Sequence, residues 1–216
     1  MAGELRDYDA WHGDYDDPAS GLSWRLRTVQ RYIKDVLDER DPPLRVLSVC
    51  AGDGRDVIGV LAERADAARV HATLLEIHPA IAERARRSAA AAGLSGRVDV
   101  RTVDAGDSDA YLTLPPADLV LLVGIFGNIS DEDLQRTIVA SAELCADRAA
   151  VLWSRGRGRT LVDRNDAVRA WFRAAGFTEL DYAVSDRGHR PALGRVRYDG
   201  PQRPLQPGQR WFTFRR

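Results

Sequence analysis

Apolar residues recur at helical spacing early in the chain, with Leu22, Leu26, Val29, Ile33, Val36 and Leu37 on one face. The pattern predicts an amphipathic helix packed on something larger and ended by Asp41-Pro42-Pro43. Beyond it the period changes. Short apolar runs at residues 46–49, 72–75, 98–103, 119–123 and 150–153 read as strands. Helical patterns lie between them. One covers residues 56–65, and one opens at Pro79 and closes at Gly93. One starts at Ser130-Asp131-Glu132-Asp133, which offers a cap and acids suited to the helix dipole, and one covers residues 166–175, ended by Gly176. Alternating strands and helices predict a parallel sheet covered on both faces. The tail is different: residues 178–184, 195–198 and 211–214 are strand-like with no helix between them, which predicts an antiparallel hairpin closing the sheet.

The first strand runs into Ser48-Val49-Cys50-Ala51-Gly52-Asp53-Gly54 and then into a helix. Glycines there let the backbone approach a ligand, and the first helical turn offers free amides. Glu76 closes the second strand, 24 residues after Gly52, where a nucleotide-binding sheet places an acid to accept hydrogen bonds from a ribose. An ordinary turn with a solvated Glu76 is the alternative. A dinucleotide fingerprint needs a third glycine for close helix–strand packing, and that position is Val57.

With these residues the chain resembles a class I S-adenosylmethionine-dependent methyltransferase of the small-molecule, bacterial type. Residues 45–56 resemble that family's first motif, Leu74-Leu75-Glu76-Ile77 its second, Val103-Asp104-Ala105 its third and residues 119–128 its fourth. The resemblance spans roughly residues 44–177. Two positions depart from it: Ser48 stands where the family usually has an acid, and Cys50 where it usually has glycine. These departures bear on how the cofactor's methionine end is held. The resemblance implies one Rossmann-like, doubly wound α/β domain over residues 1–216. Residues 1–43 would be an arm and helix forming a lid, and residues 44–216 the cofactor-binding core with its C-terminal hairpin.

It also implies S-adenosyl-L-methionine as cofactor, S-adenosyl-L-homocysteine as product and a small-molecule acceptor methylated at O or N. The cofactor set is Ala51, Gly52, Asp53, Gly54, Glu76, Ile77, Asp104, Ala105 and Gly124. Ile77 would flank the adenine, Asp104 would accept its amino group, and Gly124 would let the backbone approach the methionine end. For Asp104 the alternative is a cap or a solvated turn, because Asp107 and Asp109 compete for the role. Phe126 or Asn128 would face the acceptor, with a plain turn residue the alternative for Asn128.

Methyl transfer from a sulfonium is driven largely by positioning, and a base is needed only when the acceptor loses a proton. Candidates for such work are His12, Tyr15, Asn128 and His189. Trp11, His12 and Tyr15 either pack as surface aromatics or lie beside the sulfonium, which aromatic faces attract. Arg155, Arg157 and Arg159 follow the fifth strand and either clamp an anionic group on the acceptor or form a solvated loop.

A Pro-Pro-aromatic sequence for planar amines is missing after the fourth strand, as is a Pro-Cys nucleophile. Pro115-Pro116 precedes that strand and is a turn.

Charge adds two expectations. The net charge is −1, but residues 1–20 hold six acids against Arg6, and residues 155–216 hold fourteen arginines against six acids. A near-neutral total argues against a nucleic-acid binder, yet the basic tail keeps methylation of RNA or protein as an alternative. A cofactor-binding protein without methyl transfer is a further one. Lys34 is the only lysine, as a GC-rich bacterial genome would leave it. Cys50 and Cys145 read as reduced thiols, the four histidines lack metal-ligand spacing, and neither a membrane span nor a signal sequence is visible. A cytoplasmic setting without a metal is expected.

Overall fold

The computed structural model describes residue 15 and residues 17–158, 163–188 and 190–215. In chain order its elements are α1 (Gly21–Glu39), β1 (Leu44–Val49), α2 (Val57–Ala62), β2 (Val70–Glu76), α3 (Pro79–Ala91) and β3 (Val98–Thr102). Next come β4 (Ala117–Leu122), α4 (Asp131–Ser141), β5 (Cys145–Gly156), α5 (Asn165–Ala174), β6 (Phe177–Val184) and β7 (Pro191–Tyr198).

The seven strands form one sheet in the order β3-β2-β1-β4-β5-β7-β6. The pairings β1–β2, β1–β4, β2–β3 and β4–β5 are parallel, and β7 runs antiparallel to both β5 and β6. The strand order reverses between β1 and β4. At such a switch point the connections leave in opposite directions and open a crevice above the carboxyl ends.

Alternation along the strands feeds two cores. Val46, Leu119, Leu121 and Leu152 face the layer built by α1, α2 and α3, while Leu47, Val120, Leu122, Val151 and Trp153 face α4 and α5. Helix starts follow local chemistry. The Ser130 hydroxyl accepts from the Asp133 amide at 3.0 Å, and Pro79 opens α3, where its missing N–H costs nothing.

The helical part of the expected lid proves to be core. Val29, Tyr32, Ile33, Val36 and Leu37 of α1 are buried, and Tyr32 donates to Asp181 of β6 at 2.6 Å. Burial of five such side chains is worth on the order of 10 kcal/mol, so α1 does not lift away. Its N-terminal end reaches the crevice, where Arg25 lies near Gly124.

The expected strand at residues 211–214 is also corrected. Residues 199–215 carry no strand, only an isolated bridge between Asp107 and Arg210. Trp211 and Phe212 are buried not at the sheet edge but against the segment after β3, where Trp211 stacks on Tyr111 at 4.7 Å. The antiparallel end of the sheet comes instead from a longer β7, whose Gly194 lies where a Cβ would sit 2.2 Å from the Trp153 indole.

Candidate active site

The turn after β1 is tied down by backbone and by one buried acid. The Ala51 amide donates to Leu75 O at 2.8 Å, and the Gly54 amide to Ala51 O at 3.1 Å. Glu76, only 6% exposed, accepts from the Gly52 amide through Oε2 at 2.9 Å and from the His78 amide through Oε1 at 2.8 Å. The acid thus joins the ends of β1 and β2, and each oxygen keeps a lone pair for a ligand. Cys50 adopts φ +54°, in the region glycine normally occupies, so the turn keeps its shape without the family's glycine. Burial, with the charges of Glu76 and Asp104 behind it, pushes the Cys50 thiol well up, which keeps it protonated. Gly54 is required for packing: at φ +70° its Cβ would lie 2.5 Å from Leu74 Cδ2.

Above this turn sits a charged cluster in which Tyr15 and Asp53, both expected at the site, are joined by Arg25, Arg55 and Asp56, which are not among the expected site residues. Arg25, on the first turns of α1, donates to the Tyr15 hydroxyl at 2.6 Å. The Arg55 guanidinium covers the Tyr15 ring at 4.4 Å and holds Asp53 through bonds of 2.6 to 3.1 Å. Asp56 caps α2 by accepting from the Val57 amide at 2.8 Å, and its loss of water lifts its pKa to about 6. Burial raises the Tyr15 pKa as well, more than the Arg25 charge lowers it, so Tyr15 is a neutral phenol rather than a ready base.

At the end of β4, Gly124 has φ +84°, and among the described residues only Arg25 Nη1, at 3.9 Å, lies within 4 Å of where its Cβ would be. Its amide donates to Ser154 Oγ at 2.9 Å, and its carbonyl accepts from Asn128 Nδ2 at 2.8 Å. The Asn128 side chain therefore holds the turn. Phe126 requires a correction as an acceptor contact. It is 0% exposed and packed between Trp153 and Phe172, because an aromatic pocket from β5 and α5 receives it.

Ile77 is 50% exposed at the rim, an apolar side chain with room for a flat partner. Ala105 is buried and its carbonyl accepts from Tyr111 at 2.7 Å. Asp104 is bonded on both oxygens, by the Gly106 amide at 2.9 Å and by Arg210 at 2.8 Å.

Two arginines at and just after the end of β5 are paired with residues of neighbouring segments. Arg155 donates to Asp131 at 2.8 Å, and Arg157 to Asp186 at 2.6 Å and to Ser185 O at 2.8 Å. Across the crevice the carbonyl of Pro18 accepts from Arg187 at 3.2 Å and from Arg27 at 3.0 Å, joining α1's N-terminus to the β6–β7 loop. Trp11, His12, Arg159 and His189 lie outside the described residues.

A doubly wound sheet with a glycine turn, an acid closing β2 and open space over β4 defines a Rossmann-like methyltransferase fold. The model of the family described as "Putative methyltransferase" matches residues 21–157, and the chain belongs to that family. No curated protein sequence matches the chain significantly.

Among solved structures, magnesium protoporphyrin IX methyltransferase (ChlM) from Synechocystis PCC 6803 with bound SAM superposes with a TM-score of 0.71. It is 16% identical, and the match covers 89% of this chain and 91% of that one. A SAM-dependent methyltransferase from Thiobacillus denitrificans in complex with S-adenosyl-L-homocysteine gives a TM-score of 0.54 at 18% identity, over 74% and 67% of the two chains. The [4+2]-cyclase SpnF gives 0.59 at 18% identity, over 82% of each. These likenesses establish the fold.

Proposed function

We propose that this protein transfers a methyl group from S-adenosyl-L-methionine to O or N of a small molecule, with the cofactor lying across the carboxyl ends of β1 to β4. The observation that carries this reading is the buried Glu76, bonded to the Gly52 amide at the strand switch, facing the same crevice edge as the open space at Gly124. The residues suit such a cofactor: Glu76 has lone pairs for ribose hydroxyls, Ile77 an exposed apolar face for the adenine, Asp104 acceptor capacity for its amino group, and Gly124 leaves room for the methionine end. When bound, the cofactor supplies a methyl on an activated sulfonium leaving group. The chain's own residues then orient and enclose. The Tyr15–Arg25–Arg55 cluster walls off the crevice beside the glycine turn, and the Pro18–Arg187 contact closes the side over β5 and β7.

A small acceptor is favoured by the pairing of several arginines of the basic tail. Arg155, Arg157, Arg169, Arg195, Arg197 and Arg210 each meet an acid, so they do not form a stripe for a polyanion. Solved relatives of this fold include enzymes named as a magnesium protoporphyrin IX methyltransferase and an O-methyltransferase family protein, which agrees with small acceptors. A bacterial, cytoplasmic setting belongs to the same proposal, consistent with one lysine among 31 basic residues and two free thiols.

A second reading, cofactor binding in the service of another reaction, is favoured by the cyclase that shares the fold. Incubation with methyl-labelled S-adenosylmethionine and a panel of small acceptors separates the two. Acceptor-dependent release of S-adenosylhomocysteine that resists added salt supports transfer to a small molecule. Tight cofactor binding with no release across the panel supports the second reading.

A further inference from the structure

After β7 the chain leaves the sheet and crosses to the cofactor side. The Gly208 amide donates to Asp109 at 2.8 Å, Ser108 N to Gln209 O at 2.9 Å and Trp211 N to Gly106 O at 2.8 Å. Farther along, Thr213 N donates to Asp133 at 3.1 Å and Arg215 N to Asn128 O at 2.7 Å. The contact is close enough that a Cβ on Gly106 would meet the Phe212 carbonyl at 2.4 Å. These partners belong to the segments that follow β3 and β4, which border the proposed cofactor crevice. The C-terminal segment is therefore a strap fixed along one edge of that crevice, and it places a cation there.

We propose that Arg210 sets the purine selectivity of the cofactor site. It is a positioning residue: it holds the Asp104 carboxylate in the orientation that accepts the 6-amino group of adenine. The inference rests on the cofactor reading above.

Asp104 is 41% exposed at its side chain, and a carboxylate so placed samples several rotamers unless it is anchored. Two anchors reach it. Oδ1 accepts from the Gly106 amide at 2.9 Å and Oδ2 accepts from Arg210 Nη1 at 2.8 Å. Removing Arg210 leaves one anchor, on the backbone, about which the free oxygen can swing. Arg210 is itself fixed by the backbone bridge to Asp107 and by Nε donating to Thr213 Oγ1 at 3.4 Å. A carboxylate only accepts hydrogen bonds, so when fixed it favours an amino group over a 6-oxo group, which presents another acceptor. Rejecting a ligand that leaves a site's polar group unpaired is the stronger form of discrimination. An ion pair this exposed adds little to stability, so its consequence belongs in selectivity.

The test is titration calorimetry of the full chain with S-adenosylhomocysteine and with its 6-oxo counterpart, S-inosylhomocysteine. The wild type should prefer the amino ligand by tenfold or more. Arg210→Ala should weaken S-adenosylhomocysteine three- to tenfold and the 6-oxo ligand less, so the preference shrinks, with the melting temperature nearly unchanged. Arg210→Lys should restore part of the preference. An unchanged preference in Arg210→Ala, or an equal loss for both ligands, would overturn the proposal. So would a wild type that binds both ligands equally, although the cofactor reading would then stand. A wild type that binds neither overturns both.

Discussion

Replacing Glu76 with Ala perturbs the proposed site at its centre, and the structure shows that the effect divides in two. The carboxylate now holds the Gly52 and His78 amides, at 2.9 and 2.8 Å, so its loss loosens the glycine turn even without ligand. A bond of this charge-assisted kind contributes about 1.5–3 kcal/mol. Because water can reach amides at the crevice edge, the stability loss should be about 1–3 kcal/mol, a fall of roughly 3–10 °C for a chain of this size. Two further bonds to ribose hydroxyls would add about 3–6 kcal/mol of lost affinity before water refills the gap. Allowing half for that refilling leaves a rise in Kd of roughly tenfold to a hundredfold. Thermal unfolding without ligand and calorimetry with S-adenosylhomocysteine separate the two parts. A lowered melting temperature with Kd within twofold of wild type would refute the ribose assignment and leave Glu76 as a clamp of the turn.

Three other outcomes are expected. Asp56 has its folded pKa lifted to about 6 from 3.8, so between those values the folded state keeps a proton the unfolded chain has lost, and the group's contribution to stability falls as pH rises through that window. Asp56→Asn keeps an acceptor for the Val57 amide, so in urea titrations it should gain on wild type by on the order of 1–3 kcal/mol from pH 4 to 7; a constant difference across that range would contradict the burial argument. Gly124→Ala should cost only about 1–2 kcal/mol of stability for its positive φ, because among the described residues the methyl meets only Arg25, at 3.9 Å, yet weaken S-adenosylhomocysteine at least tenfold; normal binding would mean the methionine end lies elsewhere. Phe126→Ala should lose about 3–5 kcal/mol of stability, as a core aromatic does, while the fraction that stays folded keeps its KM for any acceptor found; a selective rise in KM would return Phe126 to the acceptor site.

The parts legible in the sequence are those governed by local pattern. The face of α1, the Pro79 and Ser130 helix starts and the Gly52–Glu76 spacing are signals of this kind: the α1 face is buried, both helices start where expected, and Glu76 accepts from the Gly52 amide. What the pattern does not specify is the partner. Helical spacing shows that α1 is amphipathic, but a lid and a core helix share that spacing, and only the sheet beneath Val29 and Ile33 decides. Residues 211–214 are strand-like in composition, yet Trp211 stacks on Tyr111 and donates its amide to Gly106 O instead of joining the sheet. Phe126 sits on the expected turn, but Trp153 and Phe172 form its pocket from distant sequence. Arg210 meets Asp104 across 106 residues, and nothing local distinguishes it from the other arginines of the tail. Asp56 could have been found, since an acid immediately before an apolar helical run is a capping signal.

On the proposed function, the crevice over β1 and β4 takes a sulfonium nucleoside rather than a dinucleotide. Calorimetry of the full chain against S-adenosylhomocysteine and NAD, each also run on Gly124→Ala, tests it most directly. S-adenosylhomocysteine should bind saturably and one to one, more weakly to Gly124→Ala, and NAD should give no measurable heat. Binding of NAD in preference, or S-adenosylhomocysteine binding untouched by the substitution, would contradict it.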